Sequence, residues 1–525
     1  MNSPYLYIVA TERRIALKYP FRHTPYDHQL TALEKGWKAR EYAYLMEMGT
    51  GKTKVTIDNA AMLYDAGKIA SVVVIAPKGV YRNWTDKELP THTPLHLNEG
   101  RIVTWSSSLT KKKKAEINTL FEPHNDLSWF IINIDAVNTK KGYTVLEKFL
   151  TSRECMLVID ESTIIKSPTA KRTKATVKLG KLARYRRILT GSPITKSPLD
   201  LYSQAEFLNP ALLGFSSFYS FRRRYAIMQR RDFGGRAFDQ VVGFQNTEEL
   251  QGVLKEFSYR VTKDECLDLP EKIYMPPRPV ELTKEQKSAY DDMRRMALVI
   301  LEEEEMEASA SAAIVQLLRL HQIVCGHLTM DDGTVKEFPN NRIKELDSVL
   351  EEATGKVIIW ANYRLDIKRI SEYLEDKYGA EAFVTYFGDT KDAERQEAVS
   401  KFQDVVWKSG EEESYDRAEL RQRTGIEPVS VEKQSPVKYF LGNTQTGGYG
   451  ITLTQATTVV YYSNNYDLEK RLQSEDRAHR IGQHHPVVYV DLVCPGTVDQ
   501  KIISALRSKN NIARMVTGDK WRDWI

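Results

Sequence analysis

Short runs rich in Val and Ile recur along the chain and are separated by longer segments that are compatible with helices. In the first half they lie at 71–76, 130–134, 155–159 and 186–189. Strands of a parallel sheet that is covered by helices on both faces need not alternate apolar and polar residues, so such runs are typical of them. The pattern therefore predicts an α/β fold built on a parallel sheet.

The same rhythm returns in the second half, after a long stretch without it. Strand-like runs are predicted at 356–363, 382–389, 437–443, 458–463 and 487–493. A length of 525 residues also exceeds one ordinary core, because domains average about 150 residues. We therefore predict a second parallel sheet, interrupted by a charged surface insertion at 405–436.

Composition excludes several classes of protein. Hydrophobic residues make up 42% and charged residues 28% of the chain, as in globular proteins. No apolar run approaches the ~18 residues that span a bilayer, and the N-terminus lacks a signal-peptide pattern, so we expect a soluble intracellular protein. The net charge of +5 argues only weakly for nucleic acid. The four cysteines lack C-x-x-C spacing, so a zinc ribbon is excluded and reduced, buried thiols are expected.

The stretch LMEMGTGKT at 45–53 lies between an apolar run and a helix-like segment. A turn built on Gly49 and Gly51 lets backbone N–H groups close on a triphosphate, Lys52 can reach the phosphates and the Thr53 hydroxyl can hold Mg²⁺. Met46 stands where the general P-loop pattern has Gly. The alternative is a glycine turn that only joins a strand to a helix.

Two further strand ends carry polar residues. The run at 155–159 is followed by Asp160 and Glu161, and the run at 186–189 by Thr190. Carboxyl ends of parallel strands face one crevice, so Asp160 is placed to bind Mg²⁺ and Glu161 to orient or deprotonate an attacking water. An acidic pair that caps the next turn, and a helix N-cap at Thr190, are the alternatives.

Strand rhythm stops between 211 and about 340, where we predict helical protrusions, including long helices over 283–325. An aromatic-rich segment precedes a dense basic cluster made of Arg222, Arg223 and Arg224. Basic side chains among aromatics can follow a phosphate backbone. A solvated helix face is an equal alternative.

Near the C-terminus, the segment QSEDRAHRIGQ at 473–483 places Arg477 and Arg480 three residues apart. On a helix both would point to one face, from which they could clamp charge on a transferring phosphoryl group. A helical arginine pair more commonly forms surface salt bridges.

Together these motifs carry a resemblance to a family. The segments GTGKT, IAPKGVYRNW, DEST, LTGSPI, FLNP and RAHRIGQ, in this order, resemble those of the Swi/Snf-type DNA translocases of helicase superfamily two. The resemblance covers about residues 20–519 and implies two RecA-like motor lobes, helical protrusions between them and a C-terminal brace helix, which makes a minimal motor. A weaker likeness is to the annealing-helicase branch. Thr163 stands where the family often has His.

The resemblance also implies residue roles, with ATP and Mg²⁺ as cofactors. Arg477 and Arg480 become arginine fingers beside Lys52, Asp160 and Glu161. The glutamine that reads adenine in this family corresponds to Gln29, with Tyr26 beside it. The remaining nucleotide contacts fall on Gly49, Thr50, Gly51, Thr53, Gln473, Gly447 and Gly450. Backbone contacts to duplex DNA fall on Pro77, Lys78, Asn133, Thr190 and Thr446.

The predicted organisation is an N-terminal β-hairpin, a first lobe, helical protrusions, a second lobe and a brace, at 1–20, 21–210, 211–340, 341–495 and 496–525. We expect an ATP-dependent translocase on double-stranded DNA that is monomeric, binds no membrane, and lies in the cytoplasm or in a eukaryotic nucleus. The alternatives are a strand-separating, annealing or branch-migrating helicase and, from another class, a non-hydrolysing DNA-binding scaffold.

Overall fold

The computed structural model describes residues 18–78, 80–97, 100–108, 110–233, 236–303, 306–388, 390, 392–403, 435–447 and 451–517. The chain divides into two compact units. Described residues of the first fall within Met1–Gln229, Gln240–Asp268 and Lys509–Ile525, and those of the second within Arg230–Asp239 and Leu269–Ser508.

The first unit contains a seven-stranded sheet with the order β3-β4-β2-β5-β6-β1-β9, in which every described pairing is parallel. The predicted strands are confirmed, and β3 and β9 are additional. The strands are β1 Glu41–Met46, β2 Ser71–Ala76, β3 Ile102–Thr104, β4 Ser128–Asn133, β5 Cys155–Asp160, β6 Tyr185–Leu189 and β9 Ser258–Val261.

Apolar side chains cover both faces of this sheet. Along β1, Ala43 and Leu45 belong to one hydrophobic cluster, whereas Tyr44 and Met46 belong to a second. Because both faces are dry, the strands need no polar alternation, which explains their Val- and Ile-rich sequence. The main helices of this unit are α1 Asp27–Gly36, α2 Lys52–Asp65, α3 Lys111–Thr119, α4 Lys140–Ser152, α5 Lys171–Gly180, α6 Leu201–Leu208, α7 Phe218–Tyr225 and α8 Thr247–Glu256.

The region 211–340 differs from the helical prediction. Its long helices α9 Lys284–Glu303 and α10 Met306–Val324 are present. However, β7 Ala226–Phe233 and β8 Arg236–Phe244 form a two-stranded ribbon, and β9 extends the first sheet beside β1. The short strands β10 Lys272–Tyr274, β11 Arg278–Pro279, β12 His327–Thr329 and β13 Val335–Glu337 complete the region. Short edge strands of this kind carry too few apolar residues to be recognised by periodicity.

The second unit contains a parallel sheet with the order β10-β18-β17-β14-β16-β15, and β11 also pairs with β18. All five predicted strands are confirmed, as β14 Lys356–Trp360, β15 Phe383–Tyr386, β16 Tyr439–Gly442, β17 Ala456–Tyr461 and β18 Val487–Val493. Its further helices are α11 Arg342–Glu352, α12 Arg364–Tyr378, α13 Asp392–Phe402, α14 Leu468–Glu475 and α15 Val498–Thr517.

Several predictions lie outside the described residues. These are the N-terminal β-hairpin, apart from residues 18–20, and the insertion at 405–436, apart from residues 435 and 436. The predicted C-terminal helix is present as α15, although its role as a brace stays a prediction. No helix in the described part of the chain is long and apolar enough to cross a membrane. The cysteines are free; three are buried and Cys266 is partly buried.

Candidate nucleotide-binding site

The loop between β1 and α2 is shaped by two glycines. Gly49 and Gly51 have φ of 81° and 88°, in the left-handed region that side chains disfavour. A Cβ on Gly51 would also lie 2.2 Å from Nε2 of Gln29. Helix α2 starts directly afterwards at Lys52, so that the loop presents the N-terminus of a helix, where backbone N–H groups and the helix dipole favour an anion.

Gln29 fixes this loop against α1. Its Nε2 donates to the Thr50 carbonyl at 3.2 Å, and its Oε1 accepts from the Tyr26 backbone N–H at 3.1 Å. Tyr26 is 49% exposed and its ring stacks on His28, with centroids 5.9 Å apart. His28 contacts the Thr50 carbonyl through Nε2 at 2.8 Å. The predicted adenine-reading pair therefore adjoins the glycine loop, and Tyr26 leaves an aromatic face exposed.

Lys52 is 8% exposed, and its ammonium points back into the loop. Nζ donates to the carbonyl of Met46 at 2.9 Å and to that of Glu47 at 3.3 Å. The Thr50 hydroxyl also donates to the Glu47 carbonyl, at 2.7 Å. Phosphate oxygens are acceptors of the same kind and carry charge, so they can replace these carbonyls as partners of Lys52.

Asp160 ends β5 beside Leu189 of β6, at the carboxyl edge of the sheet where the glycine loop also lies. Its Oδ2 accepts from Trp84 Nε1 at 2.8 Å, and its Oδ1 from the Glu161 backbone N–H at 3.0 Å. Burial raises the pKa of Asp160, whereas the Trp84 hydrogen bond and the nearby Lys52 ammonium oppose that rise. The carboxylate is thus held in a dry position within the electrostatic reach of Lys52.

Glu161 has φ of 48° and ψ of 63°, a left-handed conformation that is rare for a residue with a side chain. Its carboxylate accepts from the Thr190 hydroxyl at 3.4 Å. Thr190 is 1% exposed, and its Oγ1 also accepts from the Ser192 backbone N–H at 3.1 Å. The structure therefore brings together the predicted acidic pair and the predicted loop after β6.

Three supporting contacts were not identified from the sequence. Trp84 binds Asp160 across 76 positions of the chain. The guanidinium of Arg260, on β9, donates to the carbonyls of Leu45 and Gly191, both at 2.9 Å. Ser162 donates to Gln204 at 2.6 Å. Each contact joins distant segments, so no local pattern signals it.

The candidate magnesium ligands are the two residues that the sequence also predicted, Asp160 and Thr53. The Asp160 carboxylate and the partly exposed Thr53 hydroxyl are oxygen donors, the class that Mg²⁺ prefers. Mg²⁺ usually takes one or two protein oxygens, with phosphate and water completing its shell, so this donor set fits. Among the searched residues, no group of three or more His, Cys, Asp or Glu side chains forms an alternative metal site.

Three of the predicted DNA-contact residues, Pro77, Lys78 and Asn133, lie at the ends of β2 and β4, which pair through Ala76 and Asn133. Lys78 is exposed and Pro77 is buried. The Asn133 side chain accepts from the Ala136 backbone N–H at 3.0 Å and so caps a short helix. This cap is a complete structural role for Asn133, and a DNA contact there stays a prediction.

In the second unit, the prediction that Arg477 and Arg480 share a helix is wrong. Helix α14 ends at Glu475, and both arginines lie in the turn that follows it. They nevertheless converge, because Nη1 of Arg477 and Nη1 of Arg480 donate to the same Ile451 carbonyl, at 3.1 and 3.4 Å. Arg477 is 3% exposed, whereas Arg480 is only partly buried.

The other predicted residues of this unit have mixed surroundings. Gln473 is buried and donates to Glu469 at 3.2 Å, while its Oε1 finds no donor among the described residues. A Cβ on Gly447 would lie 2.5 Å from the Trp360 ring, so packing alone requires glycine there. Thr446 is partly buried in the same turn. Gly450 lies outside the described residues.

The three arginines of the basic cluster at 222–224 have different surroundings. Arg224 forms a two-pronged ion pair with Glu249 through Nε and Nη2. Arg222 lies over the Tyr219 ring, 5.5 Å from its centroid, and Arg223 is exposed. Arg224 therefore has a structural partner, and Arg223 faces solvent.

The glycine loop, the acidic pair and two parallel RecA-like sheets define a helicase-type P-loop protein. A family model described as SNF2-related domain matches residues 44–330, and one described as helicase conserved C-terminal domain matches residues 421–482. The first match covers more than half of the chain. The chain therefore belongs to the SNF2 family of helicase-type ATPases.

Similar curated proteins include the DNA annealing helicase and endonuclease ZRANB3 of Mus musculus, 24% identical over 89% of this chain and 38% of that protein. An uncharacterized ATP-dependent helicase of Mycoplasma genitalium, MG018, is 26% identical over 89% of this chain and 39% of that protein. The chain thus spans less than two fifths of either relative. A solved Sulfolobus solfataricus SWI2/SNF2 ATPase core in complex with dsDNA is 23% identical, with a TM-score of 0.40, over 95% of this chain and 94% of that one.

Proposed function

We propose that this protein is an ATP-dependent translocase on double-stranded DNA. The observation that carries the proposal is the set of residues at one sheet edge. There the Lys52 ammonium opposes the burial-driven rise in the pKa of Asp160, and Glu161 is hydrogen-bonded to Thr190. In this proposal Lys52 binds phosphate and Asp160 binds the metal. Glu161 orients water, and the loop at Thr190 responds to changes at Glu161. The names of relatives, such as DNA annealing helicase, support DNA as the substrate.

In this proposal, Lys52 exchanges the carbonyls of Met46 and Glu47 for phosphate oxygens, which are charged and therefore stronger acceptors. Thr53 and Asp160 would hold Mg²⁺, which would neutralise charge on the phosphates. Glu161 orients the attacking water and accepts its proton. Gln29 and Tyr26 contact the adenine, because they adjoin the same loop.

Arg477 and Arg480 supply positive charge to the phosphoryl group. Their shared acceptor, the Ile451 carbonyl, holds the two guanidinium groups close together. Loss of an arginine finger costs about 10³-fold or more in rate. Arg480 is the more exposed of the two, and we assign the direct contact to it and the positioning of the turn to Arg477.

The hydrogen bond between Glu161 and Thr190 is our proposed connection between ATP hydrolysis and movement along DNA. A change at the water-orienting carboxylate alters the hydrogen bond of Thr190, and the loop after β6 is among the predicted DNA contacts. Contacts of this type reach the phosphate backbone, so binding should be independent of base sequence and sensitive to salt.

The test is ATP hydrolysis measured with and without duplex DNA. Wild-type protein should be stimulated by duplex, and both Lys52→Ala and Glu161→Gln should abolish the stimulated rate. Lys68→Ala is the matched control, because Lys68 is an exposed lysine just beyond the end of the same helix, and it should behave as wild type. A wild-type protein that hydrolyses no ATP with any DNA would establish a binding scaffold instead.

A second assay separates translocation from strand separation. The motor should displace the third strand of a DNA triplex while leaving a simple forked duplex intact. Fork unwinding without triplex displacement would refute the translocase and establish the helicase alternative.

A further inference from the structure

One short segment in the first half of the chain has a large excess of positive charge. We call residues 217–244 the arm; it consists of α7 followed directly by the ribbon of β7 and β8. The arm contains six arginines and two aspartates, a net charge of +4, whereas the whole chain carries +5. A short segment thus holds nearly all the net positive charge of the protein, which is the electrostatic signature of a polyanion partner.

The base of the arm is firmly attached. Arg224 and Tyr225 both bind the carboxylate of Glu249 on α8, the tyrosine hydroxyl at 2.9 Å. The Gln245 backbone N–H donates to the Tyr225 carbonyl at 3.0 Å, and the Phe221 ring is fully buried. The base of the arm is therefore held to α8 by buried rings and charge-assisted hydrogen bonds.

Near its attachment, the arm exposes apolar groups beside arginines. Tyr219 on α7 is 71% exposed, and on the ribbon Ile227 and Val242 are 44% and 49% exposed. Arg223 and Arg230 are also exposed, and among the described residues no ion pair or hydrogen bond neutralises either side chain. Charge and apolar surface therefore occur together.

The ribbon exposes apolar side chains on both faces. A Cβ on Gly243 would lie 3.4 Å from Ile227 Cδ1, so Ile227 and Gly243 share a face. Since successive residues of a strand alternate, Val242 points to the opposite face. A ribbon that packed on a protein core would bury one face and leave the other polar.

A duplex groove explains this arrangement. The major groove is about 12 Å wide and admits a two-stranded β-ribbon, which can then bring its exposed side chains against DNA. The flanking arginines reach phosphates, and exposed apolar side chains contact sugars and thymine methyl groups.

We propose that the arm is a second duplex-binding element, with its ribbon in the major groove and Arg223 and Arg230 on the phosphate backbone. This inference rests on the proposed function, because it assigns a further contact to the same DNA. Arg224 is excluded from that contact by its ion pair with Glu249.

The test is the binding of full-length protein to a fluorescent duplex, measured by anisotropy at several salt concentrations. Arg223→Gln combined with Arg230→Gln should weaken binding at least about fivefold and lower the slope of log K against log salt by about 2, one per lost phosphate contact. The control is Lys111→Gln with Lys112→Gln, which removes two exposed charges from α3 and should leave the slope unchanged.

A third variant tests the groove directly. Val242→Glu places a negative charge on an exposed face of the ribbon and should weaken binding more than Glu substituted at exposed Lys111. Equal affinities and slopes for the arm variants and the controls would overturn the proposal and point to a protein partner for the ribbon. Anisotropy requires no hydrolysis, so failure of ATPase stimulation in wild type would refute the proposed function alone.

Discussion

Replacing Asp366 by Asn should stabilise the second unit, and more strongly at high pH. Asp366 is fully buried in the first turn of α12. Its Oδ2 accepts from the Ser463 hydroxyl at 3.0 Å. Its Oδ1 lies 3.7 Å from His327 Nδ1, and neither atom has a hydrogen-bond partner within the described residues. A charged carboxylate in such a place is costly.

Burial raises the pKa of Asp366 to about 7, although Arg342 opposes the rise. The folded state then binds the proton more tightly than the unfolded state, whose pKa is near 3.8. Stability from this group is therefore fully present below pH ~4 and is lost as the pH rises through about 7. Linkage gives a cost of ~4 kcal/mol at pH 8 and under ~2 kcal/mol at pH 5.

Asn resembles the protonated acid, since its oxygen can accept from Ser463 and its amide can donate to His327. The gain in unfolding free energy of Asp366→Asn should therefore be larger at pH 8 than at pH 5 by roughly 3 kcal/mol. The assay is chemical denaturation at both pH values, followed by tryptophan fluorescence, to which Trp360, buried in the same unit, contributes.

Asp347→Asn is the matched control. A hydrogen bond from Lys377 lowers the pKa of Asp347, so this carboxylate is ionised in both states from pH 5 to pH 8. Its effect on stability should not change over that interval. If the Asp366 variant shows the same difference from wild type at both pH values, the reasoning about burial and charge at this position is wrong.

Three other substitutions test packing and a buried charge, each by the free energy of unfolding. Arg342→Met should cost about 3–5 kcal/mol, because it leaves Asp499 buried without its guanidinium partner. Gly447→Ala should cost about 1–3 kcal/mol, because the new methyl group collides with Trp360. Gly252→Ala should instead stabilise by about 0.5–1 kcal/mol, because the site lies within α8 and a Cβ there meets nothing within 4 Å.

Sequence reasoning succeeded where a function depends on a strand end. The loop before Lys52, the pair at Asp160 and the loop at Thr190 all follow buried apolar runs. In a parallel sheet, carboxyl ends share an edge whatever the strand order. The proximity of these three segments could therefore be predicted without knowing that β5 pairs with β6.

Sequence reasoning failed where position depends on distant packing. Arg477 and Arg480 were expected to share one face of a helix, because they lie three residues apart. Helix α14 stops at Glu475, and the Arg477 carbonyl then accepts from the Leu453 backbone N–H at 2.9 Å. That tertiary bond competes with the helical pattern, and nothing local indicates it.

The left-handed backbone at Glu161 connects fold to chemistry. A non-glycine residue in this region costs about 1–3 kcal/mol and persists only where its surroundings fix it. Here Asp160 binds the Glu161 backbone N–H, and Ser162 is hydrogen-bonded to the buried Gln204. A helical backbone at Glu161 would satisfy ordinary preferences but would re-aim its carboxylate away from Thr190. The buried contacts on either side thus hold the strained turn that keeps the Glu161 carboxylate against the loop after β6.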